Sequence, residues 1–352
     1  MKIKITENRF VGDGEEPYVI AELGSNHNGD MDIAKKLIDA AKESGADCVK
    51  FQSWSKETIF SRKKYEENYF LADDYRDRED FTLEEIVEAY AISEEQLLEV
   101  KKYSNGIGID FSSTPFSRRE ADFLVDKLES SFIKIASMDV NNFPYLDYIA
   151  RKNKPIILST GLSSLDDIDR AIRTIEEAGN NQIVILHCIA TYPPKDEDVN
   201  LKNIQTLSNI YPYPVGFSDH TLGPCMSVAA VANGACLIEK HFTLDKNMEG
   251  WDHKISADPA DMKVIVDDSK RVSKALGSNR IIRTESEERV REFRRSIVAS
   301  KDISKGEIFT EDMIDYKRPG GGLDPDFSKF IIGRKAKKNL SFDEMIQIED
   351  LQ

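Results

Sequence analysis

Tyr18-Val-Ile-Ala-Glu-Leu-Gly-Ser-Asn-His-Asn-Gly-Asp30 opens on β-forming residues and passes quickly into a polar tip. Its apolar start predicts a buried strand over 18–22. Glu22, Asn26, His27, Asn28 and Gly29 follow it directly. Parallel α/β folds keep their reactive groups at the carboxyl ends of strands, where such tips collect.

The same pattern recurs along the chain. Cys48-Val-Lys-Phe51 is tipped by Lys50 and Gln52, and Ile107-Gly-Ile-Asp-Phe111 by Ser112, Ser113 and Thr114. Phe132-Ile-Lys-Ile-Ala136 ends at Ser137, and Pro155-Ile-Ile-Leu158 at Ser159, Thr160 and Gly161. Ile183-Val-Ile-Leu186 leads to His187 and Cys188, and Val215-Gly-Phe217 to Ser218, Asp219 and His220. Cys236-Leu-Ile-Glu-Lys240 ends at His241. Between these runs lie segments of helical period, such as 32–44, 83–103, 117–128, 165–178 and 224–233. Eight β-then-α units predict an α/β protein whose residues 1–280 form a (β/α)8 barrel. A doubly wound sheet accepts the same alternation, but a polar tip on every unit favours closure.

Three stretches fall outside the repeat. Residues 1–17 predict a small hairpin with a Gly12-Asp13-Gly14 turn. Residues 53–84, with Tyr65, Tyr69, Phe70 and Tyr75, have no period and predict a wall or lid over the site, against a solvated insertion. Residues 281–294 are densely charged and predict a linker helix. They precede a β-rich domain over 295–352, whose short signals are Ser296-Ile-Val-Ala-Ser300, Ile308-Phe309 and Met345-Ile-Gln-Ile348. So small a domain has a marginal core and should dock on its own barrel or on a partner chain.

The net charge of −15 comes from acidic and basic residues that are interspersed along the chain. That argues against a nucleic-acid or membrane surface as the main partner. No apolar run approaches the ~18 residues of a membrane span, and no apolar leader is present, so a soluble cytoplasmic protein is expected. Cys48, Cys188, Cys225 and Cys236 are widely spaced and predict buried, reduced thiols.

Of the five histidines, four fall at or just past predicted strand ends. His220 and His241 end adjacent strands, which lie about 4.8 Å apart. Two imidazoles so placed can hold one divalent ion that keeps open positions for substrate; hydrogen-bonded core histidines are the alternative. Lys50 and Lys134 lie inside apolar strands, where an ammonium needs an anion. With Ser137, Ser159 and Ser218 closing other strands, they fit a phosphate. A Schiff-base lysine is the rival. The reading requires both lysines and both histidines to share one cup.

Ala21-Glu-Leu-Gly-Ser-Asn-His-Asn-Gly29, Val49-Lys-Phe-Gln52, Leu158-Ser-Thr-Gly161, Leu186-His-Cys188 followed by Tyr192-Pro193, Phe217-Ser-Asp-His-Thr221 and Glu239-Lys-His-Phe-Thr-Leu-Asp245 together resemble the sialic acid synthase family. The last residues resemble its antifreeze-like (SAF) domain. The resemblance implies condensation of phosphoenolpyruvate with N-acetylmannosamine or a related acetamido-deoxy hexose, giving a nonulosonic acid and phosphate by carbon–oxygen cleavage. It implies a divalent metal, usually Mn2+ with Mg2+ or Co2+ possible, on His220 and His241. It implies that Lys50, Lys134, Ser137, Ser159 and Ser218 grip phosphoenolpyruvate, with Gln52 and Thr114 nearby. Tyr192 and Asp252 would orient the sugar, and Glu22 would move the proton of water. It further implies a domain-swapped homodimer, with Arg318 reaching the partner's sugar.

This chain departs from the family pattern around the sugar. Asp139 stands where a longer Glu contacts the sugar, Met138 replaces a small residue, Ala190 stands where an amide is common, and Trp251 precedes Asp252 in place of Pro. These changes point to an acceptor with an apolar or extra acyl substituent, such as a diacetamido-trideoxy hexose, with neutral drift as the alternative. The alternatives are a synthase acting on a 6-phosphorylated amino sugar, for which Arg62, Lys63 and Lys64 are available, and a catalytically silent carbohydrate-binding protein.

Overall fold

The computed structural model describes residues 1–68 and 82–352. Tyr69, Phe70 and Tyr75, expected in the lid, lie outside the described residues. The chain divides into two compact units, Met1–Gly277 and Ser278–Gln352.

In the first unit, β1 (Lys2–Lys4) and β2 (Phe10–Gly12) form an antiparallel hairpin. Its turn lies within residues 5–9, where the Ile5 and Thr6 amides donate to the Arg9 carbonyl. The Gly12–Gly14 stretch, expected as the turn, instead leaves the second strand. Then come β3 (Tyr18–Gly24), β4 (Cys48–Ser53), β5 (Asp110–Pro115), β6 (Ile133–Ile135), β7 (Ile156–Ser159), β8 (Ile183–Cys188), β9 (Val215–Asp219) and β10 (Leu237–His241). They lie side by side in the order β5-β4-β3-β10-β9-β8-β7-β6, each strand parallel to its neighbour in that order. The sheet's two ends meet where the Ser112 hydroxyl of β5 donates to the carbonyl of Phe132, just before β6. This is the (β/α)8 barrel.

Strand alternation sorts the core into two populations. Tyr18, Ile20, Cys48, Phe132, Ile157, Val184, Leu186 and Leu237 cluster with Ile3, Ile5 and Val11 of the hairpin. They fill the barrel interior, and the hairpin stops its amino-terminal end. Residues one step out of phase, such as Val19, Val49, Phe111, Ile133, Ile156, Ile183, Val215 and Ile238, pack against the surrounding helices.

Two sequence boundaries shift. The helix expected over 83–103 is two helices, Leu83–Tyr90 and Glu94–Ile107. Ser93 caps the second through the Gln96 amide and starts a new axis. Ile107 ends that helix, and Gly108 caps it at φ 72°, so the strand expected from 107 begins at Asp110. All four cysteines are free, but only Cys48 and Cys188 are buried; Cys225 is exposed.

Leu83, Ile86, Val87 and Tyr90 on the first of those helices pack on Trp54, with Ile59, Tyr65, Phe116 and Trp251 around them. The described part of the 53–84 excursion is therefore a packed wall beside the strand ends.

The second unit begins with the charged helix Glu287–Phe293. Its sheet pairs β11 (Ser296–Ala299) with β12 (Ile314–Lys317), antiparallel. The segment at 314–317 carried no clear sequence signal. Ile308 and Met345 form single bridges, to Lys335 and Val298. Ile297, Ala299, Ile303, Phe309, Ile331 and Ile346 make its core. No helix among the described residues is long and apolar enough to cross a membrane.

Candidate active site

At the carboxyl ends of the barrel strands, a cavity of about 410 Å³ is lined by Glu22, Lys50, Gln52, Thr114, Lys134, Ser137, Ser159, Tyr192, Ser218, His220, His241 and Asp252, among others. Both lysines and both histidines face it together. Positions 22, 50, 134, 239 and 241 are in phase with the barrel-filling Ile20, Cys48, Phe132 and Leu237 of their own strands, and Ser218 and His220 are in phase with Gly216, where an added Cβ would press on Leu186 and Leu237 inside the barrel.

The floor is an alternating charge cluster, buried throughout. The Lys50 ammonium pairs with Glu22, donates to Thr114 Oγ1 at 2.7 Å, and stands 3.7 Å from Glu239 Oε2. Lys134 Nζ is 3.5 Å from Glu239 Oε1, and the Ser218 hydroxyl donates to that same oxygen at 3.0 Å. The anions beside the two strand lysines are thus the chain's own carboxylates. Glu239 went unassigned in the sequence. The signal was present: it lies two residues before His241 in one strand, so both side chains leave the same face.

The two carboxyls are driven apart. Burial, with the Glu239 charge adding to it, outweighs Lys50 and raises Glu22 to about 7. Burial would raise Glu239 too, but Lys134 and Lys50 hold it down at about 2. Burial also lowers Lys134, against the pull of Glu239. Two interacting carboxyls with opposed shifts are the usual arrangement for one proton carrier and one fixed charge. Gly24, at φ 50°, leaves room for this: a Cβ there would come within 3.3 Å of both Glu22 Oε1 and Asp252 Oδ2.

The hydroxyls differ. Ser159 Oγ is buried without a partner. Ser137 Oγ accepts from the Gly161 amide at 2.9 Å, leaving its own proton to donate. Gln52 Nε2 donates to Glu22 Oε1 at 3.2 Å.

His220 and His241 stand 5.6 Å apart, ring centroid to centroid, and Tyr192 lies 4.0 Å from the His220 ring. The Nδ1 of His220 is 2.8 Å from the Ile189 carbonyl; donating there leaves Nε2 with a lone pair. Burial opposes a charge on His220, but the neighbouring Cys188 sulfur raises it. Burial lowers His241 to about 4, keeping that ring neutral, and its Nδ1 has no hydrogen bond. Asp252 Oδ2 is 3.6 Å from this nitrogen and accepts from the Ser25 hydroxyl at 3.2 Å. A neutral ring with an orphaned nitrogen, and a second ring oriented by a carbonyl, fit a two-histidine hold on a divalent ion. No larger His/Cys/Asp/Glu metal cluster occurs among the described residues.

Other expected residues fall elsewhere. Asp139 does not line the cavity; its carboxylate accepts from Asn142 Nδ2 at 3.1 Å. Ser137–Asp139 is a 3-10 turn, which rotates each successive side chain by about 120°, so Met138 takes the cavity face. His27, His187 and His253 are scaffold. His27 Nδ1 accepts from the Gly29 amide, His187 bonds the Val199 carbonyl, and His253 meets Thr243 and Asn28. Asn26 donates to the Phe242 carbonyl and Ser256, fastening its loop. Arg62 and Lys63 pair along their helix with Glu66 and Glu67 and do not line the cavity. Arg318 lies in the second unit, its guanidinium 5.8 Å from the Phe293 ring.

Residues 37–281 match the NeuB family, and residues 294–352 match the SAF domain. The chain belongs to the NeuB family. Among relatives of this NeuB-family chain, an N,N'-diacetyllegionaminic acid synthase of Campylobacter jejuni is 41% identical, over 94% of this chain and 98% of its own. The human N-acetylneuraminate-9-phosphate synthase is 34% identical, over 99% of this chain and 96% of its own. The crystal structure of N-acetylneuraminic acid synthetase from Leptospira borgpetersenii superposes with a TM-score of 0.73 at 31% identity, covering 82% of this chain and 94% of that one. The family comprises nonulosonic acid synthases, and its SAF domain accounts for the small second unit.

Proposed function

We propose that this chain condenses phosphoenolpyruvate with an acetamido-deoxy hexose and releases phosphate by carbon–oxygen cleavage. The observation that carries the reading is the buried floor: Lys50, Lys134 and the unpartnered Ser159 hydroxyl face one cavity with His220 and His241.

Lys50, Lys134, Ser137 and Ser159 hold the phosphate and carboxylate of phosphoenolpyruvate, while Ser218, whose proton is given to Glu239, steadies that carboxylate beneath them. Glu239 stands against both ammonium groups and pulls their pKa values upward, against the burial that lowers them. His220 and His241 would hold a divalent ion, Mn2+ before Mg2+ or Co2+, which would supply Lewis acidity toward the sugar carbonyl. Tyr192, Gln52 and Asp252 orient the open-chain sugar against the methylene carbon of phosphoenolpyruvate. The new carbon–carbon bond leaves a cationic centre that water captures. Glu22, raised to about 7, accepts the proton of that water and can return it as the tetrahedral adduct expels phosphate.

The acceptor is read as unphosphorylated. Among the described residues lining the cavity, the only Lys or Arg side chains are Lys50 and Lys134, both already at the floor. A sugar phosphate would need a further cation.

Incubating the protein with phosphoenolpyruvate, Mn2+ and a panel of amino sugars should release inorganic phosphate with unphosphorylated acetamido sugars. An oxygen label at the bridging position should leave with the phosphate; label retained in the sugar refutes the route. No release with any sugar supports a silent carbohydrate-binding protein instead.

A further inference from the structure

The loops after β6, β7 and β8 add an apolar surface to the same cavity, and the mechanism above makes no use of it. Met138, Leu162 and Ala190 line it. The three loops lock together at Gly161, where a Cβ would stand 2.8 Å from Ser137 Oγ and 3.1 Å from Ala190 Cβ. Met138 is 57% exposed and Leu162 79% exposed, so the two large side chains stand in the mouth and are not packed into the protein. Leu162 also has a φ of 60°, a left-handed conformation that a bulky side chain adopts only when its surroundings impose it. Such residues gather at ligand clamps.

This surface adjoins the proposed anion floor directly. Ser137 precedes Met138, and Ser159, the last residue of β7, lies three residues before Leu162. None of the three side chains offers a strong hydrogen bond, and the nearby Asp139 carboxylate is turned to Asn142. A hydroxyl pressed against them would lose water without replacement, whereas a methyl group would lose nothing.

We propose that Met138, Leu162 and Ala190 form a specificity wall for the acceptor. It takes a methyl-bearing end, a deoxy carbon's methyl or an acyl methyl, and disfavours the hydroxylated analogue. The inference rests on the synthase reading above and adds the residues that choose the sugar.

The test compares wild type, Leu162→Asn and Met138→Gln, with phosphoenolpyruvate and Mn2+, on two acceptors: a diacetamido-trideoxy hexose and N-acetylmannosamine. Asparagine tolerates left-handed backbone, and glutamine is close to methionine in size, so both variants should fold; thermal melts check this. Wild type should favour the diacetamido-trideoxy sugar in kcat/KM. Each variant should lower that preference about ten-fold through the acceptor's KM, with the KM for phosphoenolpyruvate unchanged. An unchanged preference, or a parallel loss for both sugars, overturns the wall while leaving the synthase reading intact. No phosphate release from either sugar with wild type overturns the synthase reading, and the wall with it.

Discussion

The Lys240 ammonium lies 3.0 Å from the Asp219 carboxylate, and neither side chain is exposed. The two residues are register partners on β10 and β9, facing away from the cavity between the strand ends that carry His241 and His220. Asp219 also accepts from the Thr221 amide and hydroxyl and from Ser227. Asp219→Ala leaves a buried ammonium uncompensated and should cost about 3–5 kcal/mol. The Asp219→Leu/Lys240→Met double variant should recover much of that loss. Urea unfolding of the single and double variants checks both expectations.

Removal of one cation from the floor tests the anion site. Lys134→Met should lower kcat/KM for phosphoenolpyruvate by about 10²–10³, the usual cost of one preorganised donor. The acceptor's KM should move little. Steady-state phosphate release at varied concentrations of each substrate separates the two.

The histidine pair makes a separate prediction. Chelator-treated protein should lose activity and regain it with Mn2+. His220→Ala and His241→Ala should each weaken Mn2+ binding by calorimetry or electron paramagnetic resonance while leaving the fold intact. Undiminished Mn2+ binding in both variants would remove the metal from this site.

Gly161→Ala should disturb the junction of three loops. The added methyl would press on Ser137 and Ala190, and Ser137 is one of the proposed phosphate donors. A raised KM for phosphoenolpyruvate is expected, with little change in melting temperature because the loops lie at the mouth.

Acid should destabilise the barrel through His27. Burial lowers its pKa from 6.5 to about 4, so the unfolded chain takes up the proton first as pH falls. Its neutral form supports full stability above 6.5, and that contribution is lost progressively as pH falls toward 4. The loss should reach about 3 kcal/mol, at about 1.36 kcal/mol for each pH unit between the two values. Burial lowers His187 and His253 in the same sense. Urea melts at pH 7 and pH 5 should show the drop, and His27→Gln should flatten it.

Much of this was legible because a barrel strand has a strict period of two. Once 18–22 reads as a strand, Glu22 must face the interior with Tyr18 and Ile20, and the same count places Lys50, Lys134, Ser218 and His241. Extending that count by one step would also have found Glu239. The helix break at Ala91–Ile92 and the β12 strand were less legible, because a cap and a short edge strand are local choices that the surrounding packing decides.

The repeating β-then-α order, the polar strand tips and the phase of the inward side chains follow from nearest-neighbour geometry, so they can be read along the chain. That Glu239 stands between lysines from β4 and β6 is set by the folded barrel, because a charge partner across a closed sheet has no fixed separation along the chain. Folding likewise turns Asp139 away and sets Met138 and Leu162 against the cavity. A single 3-10 turn and a single left-handed residue set those directions, and both are held by loops that meet only when the barrel closes.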